Sequence, residues 1–284
     1  TTPCFSSQYS RSKPSDMSIT CSLLTTLLCF CLFSAVHAAG FSAMVSTPRF
    51  ELQGRPGEVI RQILTIENGA DIAASFAIRT ADWDLAEDGG VTIHPPELQP
   101  GSCRPWARLE RRAIRLQPHF DKRFRFEIHV PAEAPEGECR LAILVEPADD
   151  RDVLATARNI RFPVQGRIAV IVYVNVGGAK PLLNVQSLAL QEGVDGQPVP
   201  VVVLENTGNA HGRPDGFLEA RDSTGRRVQL AVAQTPILPG QTRAIRIVQT
   251  PAEGESAVKL TPPLDIKGII EWDGGQQKIE ATLK

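Results

Sequence analysis

The sequence predicts an all-β protein made of two immunoglobulin-like β-sandwiches behind an N-terminal signal peptide. Two observations carry the β assignment. Short apolar runs are punctuated throughout by turn residues, with glycine and proline at 22 each, and no long segment keeps a helical period. A third observation sets the number of units: "NVGGAKP" at 175–181 has the composition of a linker, and the strand rhythm restarts after it for about another hundred residues. The expected boundaries are 1–39 for the signal and any over-extended N-terminus, 40–176 for the first sandwich and 177–284 for the second.

The chain of 284 residues is 42% hydrophobic with a formal charge of −2. That balance suits one or two globular domains and argues against a nucleic-acid partner.

Residues 18–38, "SITCSLLTTLLCFCLFSAVHA", form an uncharged apolar run ending in small residues, with Val36-His37-Ala38 resembling an A-x-A cleavage site. The run is short for a membrane span and lacks a positive stop-transfer cluster, so cleavage and an exported mature chain without a span are expected. Met17 directly precedes the run, and residues 1–16 read as an over-extension. Cys4, Cys21, Cys29 and Cys31 fall in this removable part. Cys29 and Cys31 follow Leu and Phe rather than a small residue, which argues against a lipid anchor. The mature chain keeps Cys103 and Cys139, each at the start of a strand at one end of the sandwich, and in an oxidising compartment a bond between them is expected over two free thiols.

In the first unit "STPRFELQG" at 46–54 reads as the opening strand. Phe50 and Leu52 share one face while Arg49 and Glu51 share the other, because side chains alternate along a strand. "VIRQILTIENGAD" places Ile60, Leu64 and Ile66 together and ends in an Asn68-Gly69 turn. "SFAIRTADWDL" reads as one strand closed by "EDGG". "PWARLERRAIRL" is irregular, "RFRFEIHVP" alternates cleanly, "CRLAILVEP" is a near-continuous buried strand, and the unit ends with "RNIRFPVQGRIAVIVYV". The second unit predicts seven strands, "LLNVQSLAL", "VPVVVLEN", "GFLEARD", "RRVQLAVA", "RAIRIVQ", "IKGIIEW" and "QKIEATL", joined by turns rich in Asn, Asp and Gly. The two halves share rhythm without an evident repeat motif.

Catalytic motifs are missing. His94, His119, His129 and His211 have no metal-ligand spacing partner, and there is no G-x-S-x-G elbow, phosphate loop or paired-carboxylate motif, so neither enzyme, metal site nor cofactor is predicted. "DWDLAEDGG" at 82–90 has the acidic spacing of a calcium loop in Asp82, Asp84 and Asp88. Ala86 and Glu87 break that pattern, and a solvated hairpin turn is the expected reading. Arginines 104, 108, 111, 112, 115, 123 and 125, interleaved with Glu110, Asp121 and Glu127, read as a solvated sandwich face.

In "STPRFELQG", "ILTIEN", the tryptophan-ended third strand, "RFRFEIHVP" and "EGECRLAI", residues 41–174 resemble the periplasmic pilus-assembly chaperones of the PapD-like family. The resemblance implies a periplasmic protein with no cofactor. Its partners would be exported pilin-like or other β-rich subunits and an outer-membrane usher, and it would complete a subunit's unfinished sandwich with an edge strand. It implies that Arg49, five residues before Gly54, holds the subunit's C-terminal carboxylate, and that Ile160, Phe162 and Val164 form the donor row; ordinary inward-facing core is the plainer alternative for that row. The family's basic, aromatic stretch after the donor row is replaced here by "RIAVIVYVNVGG". Its lysine aligns with Ala169 or with Arg167, and only Arg167 supplies a second cation. The rival to this reading is an exported structural or adhesive module in which Arg49 merely pairs with Glu51 or a neighbour and no edge is donated. An enzyme on a sandwich scaffold has no motif behind it.

Overall fold

A computed structural model describes residues 42–148, 166–193, 196–251, 254 and 256–284, together with the backbone strands at 153–157 and 160–164. The expected signal, with its four cysteines, lies outside the described residues, as do the side chains of Ile160, Phe162 and Val164. Among the described residues no helix is long and apolar enough to cross a membrane.

The chain does not open on "STPRFELQG". Strand β1 (Ala43–Ser46) precedes it, and the chain then crosses to the other layer at Thr47-Pro48, where Thr47 takes a φ of 63°, before β2 (Arg49–Gly54) begins. Proline has no N–H for a ladder, so it suits the point where a strand leaves one sheet for another. Strands β3 (Val59–Asn68) and β4 (Ala74–Ala81) follow as predicted. The "ADWDL" end does not continue β4: it separates at Asp82 as β5 (Trp83–Leu85), a hairpin partner of β6 (Val91–Ile93). The irregular "PWARLERRAIRL" resolves into a 3-10 turn at Arg104–Trp106 and two short strands in different layers, β7 (Ala107–Leu109) and β8 (Ala113–Leu116).

Strands β9 (Asp121–His129) and β10 (Gly137–Pro147) have the expected patterns. The closing segment is interrupted, however, into β11 (Val153–Ala157), β12 (Ile160–Val164) and β13 (Ile168–Val176). The layers are β1-β3-β9-β7 and β2-β13-β10-β4-β8, with β2 parallel to β13 at the edge of the second layer. Inward rows from both layers fill the core. Leu64, Ile66, Phe124 and Ile128 are completely buried, and Phe50 meets Phe126 edge to face at 5.1 Å. Each such side chain contributes about 1.5–3 kcal/mol through burial. Strands β11 and β12 pair only with each other among the described residues, in a two-stranded ribbon outside both layers.

Gly177 and Gly178 carry φ values of 74° and 80°, a conformation other residues adopt at a cost, and turn the chain out of β13. The linker is pinned rather than loose: Asn175 Nδ2 donates to the Ala179 carbonyl at 2.6 Å, and the Lys180 N–H donates to Asn209 Oδ1 at 2.9 Å. Then come β14 (Leu183–Glu192), β15 (Pro198–Asn206), β16 (Phe217–Arg221), β17 (Arg227–Val232), β18 (Thr242–Gln249), β19 (Leu264–Trp272) and β20 (Gly275–Leu283). Their order is β14-β15-β18-β17-β16-β19-β20. Strand β18 pairs with β15 over its first half and with β17 over its second, which folds the sheet into two layers around Val202, Leu204, Leu230, Ile245 and Ile266. The all-β, two-sandwich class read from the sequence describes this architecture.

The expectation of no shared motif is corrected by two asparagines. Asn68 ends β3 and Asn206 ends β15; both are completely buried. Each donates its amide to a carbonyl four residues on, Ile72 at 2.8 Å and Ala210 at 2.8 Å, and also to the chain across the end of its sandwich, Gln117 at 3.1 Å and Ile237 at 2.8 Å. The repeat is "IENG" and "LENTG". A buried amide with its donors satisfied closes the same end of each unit.

Candidate functional site

The inner face of β2 buries Phe50 and Leu52, which forces Arg49, Glu51 and Gln53 outward. Register continues these positions across the sheet: Glu51 lies beside Tyr173 and Tyr173 beside Arg140, while Gln53 lies beside Asn175 and Asn175 beside Glu138. This outer face is covered rather than solvated. Ala81, Trp83, Ala142, Leu144 and Tyr173 form an apolar patch capped by Leu238 of the second unit. The "NAHGR" turn at 209–213 lies over its other end.

There His211 stacks on Tyr173 with ring centroids 3.9 Å apart and sits between two carboxylates, Glu138 Oε2 at 2.5 Å from Nδ1 and Glu51 Oε1 at 3.7 Å from Nε2. The Glu138 side chain is 2% exposed. The backbone seals the contact, since the Glu138 N–H donates to the Asn209 carbonyl at 2.8 Å and the His211 N–H donates to Glu138 Oε2 at 3.2 Å. Arg213 lies over the Tyr173 ring at 6.0 Å and reaches Glu51 Oε1 at 3.6 Å. Burial holds its guanidinium below the ordinary arginine range, and the nearby Arg49 charge acts in the same direction. Burial also pushes the Tyr173 hydroxyl up to about 12. A second contact between the units lies further along, where Gln241 donates to Asp84 Oδ1 at 3.3 Å and Arg243 donates to the Ala86 carbonyl.

Glu51, Gln53 and Tyr173 of the first unit and His211 and Arg213 of the second line a cleft between them, and Arg49, next but one to Glu51 on the edge strand β2, is about half exposed in an ion pair with Glu51 at 2.9 Å. Arg167 is elsewhere. It lies 3.9 Å from Glu146, whose carboxylate is held bidentately by Arg79 at 2.7 and 2.9 Å. Ile171 is the residue in register with Arg49. Arg167 precedes it by four positions, or about 13 Å along the strand. The structure therefore does not join Arg167 to Arg49, and Ala169, the alternative alignment, packs into the apolar patch.

Strand β12 carries the proposed donor row, with Phe162 in register with Ala155 of β11; the row's side chains lie outside the described residues. Cys103 and Cys139 are bonded, with Cα atoms 5.8 Å apart. The bond ties the turn before β7 in one layer to β10 in the other.

Asp82 is not part of a solvated turn. It is buried, accepting hydrogen bonds from Ser102 Oγ at 2.6 Å and the Gln99 N–H at 3.1 Å, and it pairs with Arg104 at 3.3 Å. That ion pair also removes Arg104 from the solvated basic face. Among the described residues no group of three or more His, Cys, Asp or Glu is arranged to hold a metal ion.

Sequence reasoning missed His211, Arg213, Glu138 and Tyr173. The available signal was a histidine and an arginine two apart in a glycine- and asparagine-rich turn, which gains meaning only once the units dock.

No protein-family model and no curated protein matches the chain. Solved structures similar to it include the class 5 fimbriae chaperone CfaA, 12% identical, covering 86% of this chain and 99% of that one with a TM-score of 0.45. The Pseudomonas aeruginosa CupB2 chaperone is 13% identical, covering 85% and 100% with a TM-score of 0.42. The E. coli chaperone DraB is 17% identical, covering 86% and 97% with a TM-score of 0.41.

Proposed function

We propose that this chain is a divergent PapD-like protein of the periplasm that binds exported fimbrial or other surface-structure subunits and stabilises them by donating a β-strand. The observation that carries the reading is the position of Arg49: a half-exposed guanidinium on an edge strand, paired with Glu51, which lines the cleft between the two sandwiches. A cation there is placed to receive the carboxylate at the end of a bound chain. The ribbon of β11 and β12, whose strands pair only with each other among the described residues, supports strand donation, because a free strand edge satisfies a partner's open sheet through backbone hydrogen bonds. The action is binding, with no covalent step and no cofactor.

A second reading is favoured by one observation, the 2.9 Å ion pair of Arg49 with Glu51. Under it the protein is an exported structural or adhesive module, and Arg49 only pairs with its neighbour. Co-purification from periplasm separates the two. Wild type is expected to bring down a small β-rich protein that Arg49→Ala loses, and an unchanged set of partners would favour the adhesive module.

A further inference from the structure

Two guanidiniums converge on one carboxylate in the cleft. Glu51 Oε1 is shared by Arg49 at 2.9 Å, Arg213 at 3.6 Å and His211 at 3.7 Å. Of the neighbouring acids, Glu138 is hydrogen-bonded to His211 and also acts electrostatically on Arg213, and Asp273 pairs with Lys180 at 3.1 Å. Arg140, the remaining cation, lies over the Trp83 ring at 5.8 Å. Glu51 thus serves two guanidiniums, and Arg213 is only 23% exposed, where a cation is poorly solvated. Its Nε is buried without a hydrogen-bond partner among the described residues, while Nη1 donates to the Gln234 carbonyl at 3.2 Å.

We propose that Arg213, from the second sandwich, is the second cation of the carboxylate site, so that a bound chain's C-terminus is gripped by Arg49 from one unit and Arg213 from the other. The inference rests on the capture reading of Arg49. A terminal carboxylate entering along β2 would complement both guanidiniums, whose forks offer it planar, charge-assisted donors. Because the grip spans both sandwiches, binding also depends on their docking through His211 and Glu138. Arg213 thereby takes the role that the displaced Arg167 does not fill.

The test uses the purified mature chain and two probes, a peptide of alternating valine and threonine with a free C-terminal carboxylate and the same peptide amidated. The readout is the ratio of their affinities, which a merely structural arginine does not move. Wild type is expected to prefer the carboxylate by about tenfold, the scale of a charged hydrogen bond. Arg49→Met and Arg213→Met should each abolish the preference, and Glu51→Gln, which removes the competing internal carboxylate, should increase it. Should Arg213→Met not fold, Arg213→Gln replaces it, since its amide keeps a donor for Gln234. A preference lost in Arg49→Met but kept in the Arg213 variant overturns the inference and leaves the capture reading standing. No preference in wild type overturns both.

Discussion

Glu138 of β10 and His211 of the second sandwich meet at 2.5 Å, in a contact that leaves the carboxylate 2% and the imidazole 10% exposed. The two residues belong to different units, so this pair fixes where the "NAHGR" turn rests on the outer face of the first sandwich. The pair is therefore a determinant of the cleft as well as of stability.

Removing one partner of a buried hydrogen-bonded pair costs more than removing both, because the remaining polar group keeps its desolvation penalty. His211→Ala and Glu138→Gln should each lower stability by about 2–4 kcal/mol, and the double variant should recover part of the loss. Urea unfolding of the four proteins gives the coupling. A strictly additive result would show that the units dock without this pair.

Tyr173 sets an upper pH limit. Its hydroxyl is held at about 12 by burial, above the ordinary 10, so the folded chain keeps a proton that the unfolded chain releases first. Stability from this group is fully present below pH 10 and is lost as pH rises towards 12. The loss is on the order of 2–3 kcal/mol by linkage. Tyr173→Phe should flatten this part of the profile in denaturant unfolding across that range, and an unchanged profile would assign the alkaline loss to other groups.

The Cys103–Cys139 bond closes a loop of 36 residues and joins the two layers of the first sandwich. Loop-closure entropy predicts that Cys103→Ala with Cys139→Ala destabilises by about 4 kcal/mol. Chemical denaturation of the double variant, beside wild type with and without reductant, measures it. Agreement between the variant and reduced wild type separates the bond from the packing of the sulfur atoms.

Asn68 and Asn206 should behave alike. Replacing either by alanine removes the donors from carbonyls at the end of its sandwich, buried at Asn206 and partly buried at Asn68, at a cost of about 1–3 kcal/mol. Thermal unfolding of Asn68→Ala and Asn206→Ala should show losses of similar size, and a loss confined to one would mean that water replaces the amide in the other.

Much of the fold was legible because strands advertise themselves by alternation. Phe124, Phe126 and Ile128 lie on one face of β9 as their spacing requires, and all seven strands of the second sandwich were readable. The failures occurred where the backbone changes layer. The break at Asp82 depends on hydrogen bonds from Gln99 and Ser102, residues distant in sequence, and the separation of β7 from β8 depends on which sheet each joins. Alternation carries no record of either.

The candidate site divides in the same way. Arg49 was readable as an outward residue beside a proline, because β-strand parity places it opposite Phe50 whatever surrounds it. Its neighbours were not readable: Arg167 had the right charge but is carried by strand register to Glu146, and Arg213 had no motif but is carried by docking to Glu51. The sequence by itself determined the β class, the two-unit rhythm, the cysteine pair and the outward face of Arg49, all consequences of local periodicity and composition. Tertiary structure decided which charges meet in the cleft, because ion pairs act over a few ångströms and only the packing of one sandwich on the other brings residues 49, 51, 138, 211 and 213 within that range.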